Sequence, residues 1–158
     1  EPDEIVKRLH SLLPAFESAG IKLAIENHDR LKVRQLVEIL YALDSPAVGI
    51  CLDTVNSFGA LEDPTRVIAE LGPHVVNLHI KDFQVRRLDH QMGFMVEGKP
   101  AGQGMLDVPA LLERLQGRSF NAILELWPAP DANADATAAK EDAWVRESIP
   151  YLRQFIPT

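Results

Sequence analysis

Apolar residues along this chain fall into two alternating patterns, helical spacing and short continuous runs. Counting from Asp3, Ile5, Val6, Leu9, Leu12, Leu13 and Phe16 line one face of a helix. Gly20 supplies the left-handed residue that ends such a helix, and Pro14 predicts a kink or a split within it. The run Ile21–Ile25 then reads as a short buried strand that opens into the polar cluster Glu26-Asn27-His28-Asp29. A second cycle follows: helical spacing over Leu31–Leu43, a break at Ser45-Pro46, and the strand Val48–Leu52 ending in Asp53. In the third, Asp63 is an N-cap with Pro64 at the first helical position, Gly72-Pro73 closes the helix, and Val75–Leu78 leads into His79. In the fourth, Asp107 caps a helix bearing Leu111, Leu112 and Leu115, Gly117 ends it, and Asn121–Leu124 leads into Glu125. An Ala-rich stretch, 132–143, precedes a last helix carrying Trp144, Val145, Ile149, Leu152 and Phe155, with a kink expected at Pro150.

Strands that are almost wholly apolar and alternate with helices signal an α/β fold whose parallel sheet is covered by helices. The strands lie roughly 27 residues apart apart from one long insertion, which suits a (β/α) barrel unit. Eight such units need about 250 residues, so about four C-terminal units of a (β/α)8 TIM-barrel type fold are expected here. The chain is accordingly read as one domain, residues 1–158, and as a fragment. Four strands alone leave open edges that a missing half or a second copy must cover, and a homo-oligomer is expected of the full-length form.

The insertion, Asp82 to Met105, is too long for a plain connector. It carries Arg86, Arg87, His90 and Lys99 beside Met92-Gly93-Phe94-Met95. Two readings stand equal: a hairpin over a site that presents cations to an anionic or hydroxylated ligand, and a solvated surface hairpin.

The net charge of −7 argues against a phosphate backbone as ligand, because nucleic-acid binding relies on clustered Lys and Arg. A small substrate fits better. Cys51 is the only cysteine, which agrees with a reducing cytoplasm, and no apolar run approaches the roughly 20 residues of a membrane span. A soluble, cytoplasmic protein with no membrane partner is expected.

In parallel α/β folds ligands bind at the carboxyl ends of the strands. Those ends here carry Glu26, Asp53, His79 and Glu125. Singly, each has a structural explanation: Asp53 as a turn cap, His79 as a core histidine, the glutamates as ion-pair partners. Together, three carboxylates and one imidazole at successive strand ends suit one divalent ion, Mg²⁺, Mn²⁺ or Co²⁺ ahead of Zn²⁺, because such a mouth is costly without a cation.

Through Ile25-Glu26-Asn27, Leu52-Asp53-Thr54, His79-Ile80-Lys81-Asp82-Phe83, Gly102-Gln103-Gly104 and Leu124-Glu125, the chain resembles the C-terminal half of the xylose-isomerase-like superfamily, a sugar isomerase and epimerase group. The resemblance implies that Glu26, Asp53, His79 and Glu125 bind the metal. It also implies that Glu26 and Glu125 are catalytic, moving protons beside a metal-polarised carbonyl in an isomerase or epimerase reaction. Many relatives have His where this chain has Asn56, which disfavours the multi-zinc endonuclease branch and leaves Asn56 to bond substrate. Lys81 and Asp82, with Arg86 and His90 from the long loop, are expected to bind a sugar or sugar acid. The alternative chemistry is that of a decarboxylase or dehydratase of a 3-keto sugar acid, as in apiose-type breakdown, and a non-catalytic binding module is the other class. Trp127 and Phe58 either line the pocket or pack.

Overall fold

The computed structural model describes residues 1–156. Its elements run α1 (Pro2–Ala19), β1 (Leu23–Glu26), α2 (Val33–Leu43), β2 (Val48–Asp53), a 3₁₀ turn (Asn56–Ala60), α3 (Pro64–Leu71), a second 3₁₀ turn (Gly72–His74) and β3 (Val75–Ile80). They continue through β4 (Asp82–Arg87), β5 (Phe94–Lys99), α4 (Val108–Arg114), β6 (Asn121–Leu124) and α5 (Ala134–Leu152). Four strands make one sheet in the order β1-β2-β3-β6, with β1 on β2 and β2 on β3 parallel. An α/β fold of four successive strand and helix units is what the alternation of patterns requires. The chain divides into two compact units, Glu1–His79 with Arg114–Ala122, and Ile80–Glu113 with the chain from Ile123 onward.

In the first unit the helices bury their apolar stripes on one another and on the sheet. Leu13 of α1 meets Ile39 and Leu43 of α2, with Ile5, Val6, Leu9, Ile25, Leu31 and Val48 packed around them. Pro14 leaves α1 unsplit. Gly20 ends it at φ 65°, and its N–H bonds back into the last turn. Asp63 caps α3 by accepting from the Arg66 N–H at 3.1 Å.

In the second unit Phe83, Leu106, Val108, Leu111 and Leu152 are buried. The segment from Asp82 forms a hairpin. β4 and β5 pair antiparallel from Asp82↔Lys99 to Arg87↔Phe94, and the turn closes through Leu88 N–H to Gly93 O at 3.0 Å. The helix α5 starts at Ala134, where Asn133 accepts from the Ala136 N–H at 2.9 Å. The Ala-rich stretch is therefore mostly helix itself, as alanine's low side-chain entropy cost favours. Pro150 falls in its last turn and does not interrupt it. Among the described residues no helix is long and apolar enough to cross a membrane.

Candidate functional site

Glu26 is the last residue of β1, Asp53 the last of β2, and His79 the last but one of β3. Parallel pairing puts these strand ends on one edge, and the register sets Asp53 directly opposite His79. Each of the three offers a ligand atom within 4.8 Å of the others, and His79 Nδ1 lies 3.6 Å from Glu26 Oε1. Two carboxylates and an imidazole converge within the reach of one ion. Hard oxygen donors with a single nitrogen fit Mg²⁺, Mn²⁺ or Co²⁺ better than a thiolate-type zinc site.

The convergence is built by asparagines. Asn27, fully buried, accepts from the Asp53 N–H at 2.7 Å and donates through Nδ2 to the Asp53 carbonyl at 2.9 Å and to Ser57 Oγ at 3.0 Å. It ties β1 to the end of β2 with a side chain acting as a main-chain partner. Asp53 Oδ1 accepts from the N–H groups of Val55 and Asn56 at 2.8 and 2.7 Å, so the carboxylate also caps the turn it begins. Asn56 donates its Nδ2 to Glu26 Oε1 at 2.9 Å. The residue expected to touch substrate is thus seen holding a proposed ligand. Asn27 was legible only as part of a polar cluster, because its partners are main-chain groups that leave no mark in a side-chain pattern.

In the second unit Glu125 follows β6 directly and donates its N–H to the Ile80 carbonyl at 3.1 Å. Its Oε1 lies 2.9 Å from Lys81 Nζ, and Lys81 is only 8% exposed. Lys81, expected to meet a substrate carboxylate, meets a carboxylate of its own chain.

Asp82 corrects an expectation. It is 2% exposed, and its two oxygens accept four backbone N–H groups, from Phe83 and Leu106 on Oδ1 and from Gly102 and Gly104 on Oδ2, at 2.8 to 3.0 Å. A carboxylate has about four lone-pair directions, so none remains for a substrate. Asp82 instead gathers the segment 101–106 around itself. That explains the glycines: a Cβ on Gly104 would collide with Asp82 Oδ1 and the Phe83 carbonyl, and one on Gly102, at φ 88°, would sit 2.6 Å from the Tyr151 ring. Burial, with Asp82 and Asp107 nearby, pushes the Tyr151 hydroxyl above its ordinary range.

The two hairpin residues are surface groups. Arg86 pairs with Glu97 across the strands at 2.8 Å, and exposed His90 accepts the Met92 N–H at 3.2 Å in the turn. Trp127 packs: its Nε1 donates to the Asp82 carbonyl at 3.3 Å.

Comparison with known proteins adds the family. The chain is 42% identical over 152 residues to 3-oxo-isoapionate decarboxylase from Pectobacterium atrosepticum, covering 95% of this chain and 55% of that protein. Among solved structures it is similar to a xylose isomerase-like TIM barrel protein from Mycobacterium smegmatis in complex with magnesium, with TM-score 0.70, 17% identity, 92% of this chain and 49% of that one. It is also similar to the probable 3-DHS dehydratase AsbF of Bacillus anthracis, with TM-score 0.62, 19% identity, 89% of this chain and 55% of that one. At these identities the two structures speak for the fold, and the chain spans about half the length of each of the three proteins. Residues 2–155 match the family described as xylose isomerase-like TIM barrel, and the chain belongs to that family.

Proposed function

We propose that the protein carrying this chain is a divalent-metal-dependent lyase that removes carbon dioxide from a 3-keto sugar acid, with this chain as the C-terminal half of its barrel. The observation that carries the reading is the Glu26, Asp53 and His79 donor set on a chain 42% identical to a 3-oxo acid decarboxylase. In this reading those three residues hold the ion and Glu125 is its fourth ligand. A bound divalent ion would supply Lewis-acid polarisation of the substrate carbonyl, which speeds loss of carbon dioxide from a 3-keto acid.

The remaining work falls to the chain's own groups. The bond to the carboxylate carbon breaks, its electron pair moves toward the neighbouring carbonyl, and the carbon left behind takes up one proton. Lys81, whose ammonium sits 2.9 Å from Glu125, donates that proton to the carbon as carbon dioxide leaves, and is reprotonated from solvent. Asn56 and Asn27 keep Glu26 and Asp53 aimed, a supporting shell of the kind that tunes metal sites.

Isomerisation or epimerisation, placed first by the sequence reading, becomes second. What favours it is that the Glu26 and Glu125 side chains are 37% and 38% exposed, enough for each to exchange a proton with a ligand. The two chemistries separate by mass. With the full-length protein, a panel of 3-keto sugar acids is expected to release carbon dioxide, and Asp53→Asn to lower kcat/KM about a hundredfold or more. Conversion of a ketose to an isomer of unchanged mass, with no gas released, would select the second reading. A protein that binds no divalent ion, or that keeps full activity as Glu125→Gln, would overturn both.

A further inference from the structure

The second unit also carries a groove of about 390 Å³ lined by β5 and by Lys140 and Trp144 of α5. One wall is the Trp127 indole, which packs closely against Gly98. A Cβ at Gly98 would lie 2.6 Å from the Trp127 carbonyl and 2.8 Å from its ring, so only glycine admits the indole there. The bond from Trp127 Nε1 to the Asp82 carbonyl fixes that wall. The other wall is one helical turn of α5, with Lys140 Nζ 5.8 Å from the centroid of the Trp144 ring and donating to the Ala129 carbonyl at 3.1 Å. Lys99 of β5 lines the groove as well.

The charge left over in this groove is positive. Its one carboxylate, Glu97, is already paired with Arg86. Among the described residues Lys99 and Lys140 are in no ion pair, which leaves two cations beside two indoles on a chain of net charge −7. Indoles present rigid apolar faces at little entropic cost, and ammonium groups hold anions as point charges. A ligand that satisfies both has a C–H-rich face and an anionic end.

We propose that this groove binds a small polyhydroxylated anion, its C–H face against the indoles and its carboxylate or phosphate meeting Lys99 and Lys140. The inference goes beyond the proposed reaction and uses none of the strand-end residues. Trp127 and Trp144 are the only tryptophans of this sequence, so the part of the full-length protein's emission that Trp127→Phe and Trp144→Phe remove reports on the groove. The full-length protein, stripped of divalent ions, is titrated with gluconate, glucose 6-phosphate and glucose, and the same is done with Asp53→Asn. A saturable change is expected with gluconate, glucose 6-phosphate or both, and none with glucose; the anion that answers identifies carboxylate or phosphate. Lys99→Gln and Lys140→Gln are each expected to weaken binding about tenfold, the loss of one charge-assisted contact, and Trp144→Phe to remove the response. No saturable change, an equal response to glucose, affinity unmoved by either lysine substitution, or a response lost in Asp53→Asn would each overturn the proposal.

Discussion

At Asn27, truncation to alanine takes away the acceptor for the Asp53 N–H and a donor to its carbonyl, in a position with no access to water. Buried main-chain groups left without partners cost about 1–3 kcal/mol each, so Asn27→Ala is expected to lower stability by about 2–4 kcal/mol, read as a fall in the urea midpoint at constant slope. Leu61 is the opposite case. It sits at φ 56°, and its side chain is 90% exposed, so it gives up nothing on removal. A left-handed L-residue costs roughly 1–2 kcal/mol, partly offset by glycine's freer unfolded chain. Leu61→Gly is expected to raise stability by about 0.5–1 kcal/mol in the same measurement. Neither effect shows in the sequence, where Asn27 is one polar residue among four and Leu61 one apolar residue among many.

The elements divide by how local their signals are. Helix ends at Gly20, Asp63 and Asp107 were readable because caps are set by residues within a turn of the end. The strands were readable because a buried parallel strand is apolar throughout. For β4 and β5 a hairpin was readable but its register was not: Arg86, Arg87, Glu97 and Lys99 carry no apolar pattern that aligns the strands, and the pairing of Arg86 with Glu97 shows the match only in the fold. In the segment behind the hairpin, the amides of Gly102, Gly104 and Leu106 are held by Asp82. Asp82→Ala is expected to release the amides of Gly102, Gly104 and Leu106, seen as hydrogen exchange that accelerates there before it does in α4. Gly104→Ala is expected to do the same by steric conflict with the same carboxylate.

Across the whole molecule, pH enters stability through His74, which meets Tyr41 edge-to-face at 6.0 Å. Partial burial, with the Arg118 charge nearby, holds its imidazole below the ordinary histidine value. The unfolded chain, with a pKa of about 6.5, then binds a proton more readily than the folded one. The stabilisation from neutral His74 is present above about pH 6.5 and is lost as pH falls through the lower folded value. Urea midpoints measured from pH 7.5 down to pH 5 are expected to fall, and His74→Gln to flatten that slope. The order of strands and helices, the half-barrel character and the placing of three candidate donors at strand ends were set by the sequence itself, because hydrophobic period and capping chemistry are local. The roles of Asn27, Asn56, Lys81 and Asp82 were decided only by the tertiary structure. Their partners lie between 20 and 44 residues away in the chain or are main-chain groups, and no local pattern records which buried polar group meets which.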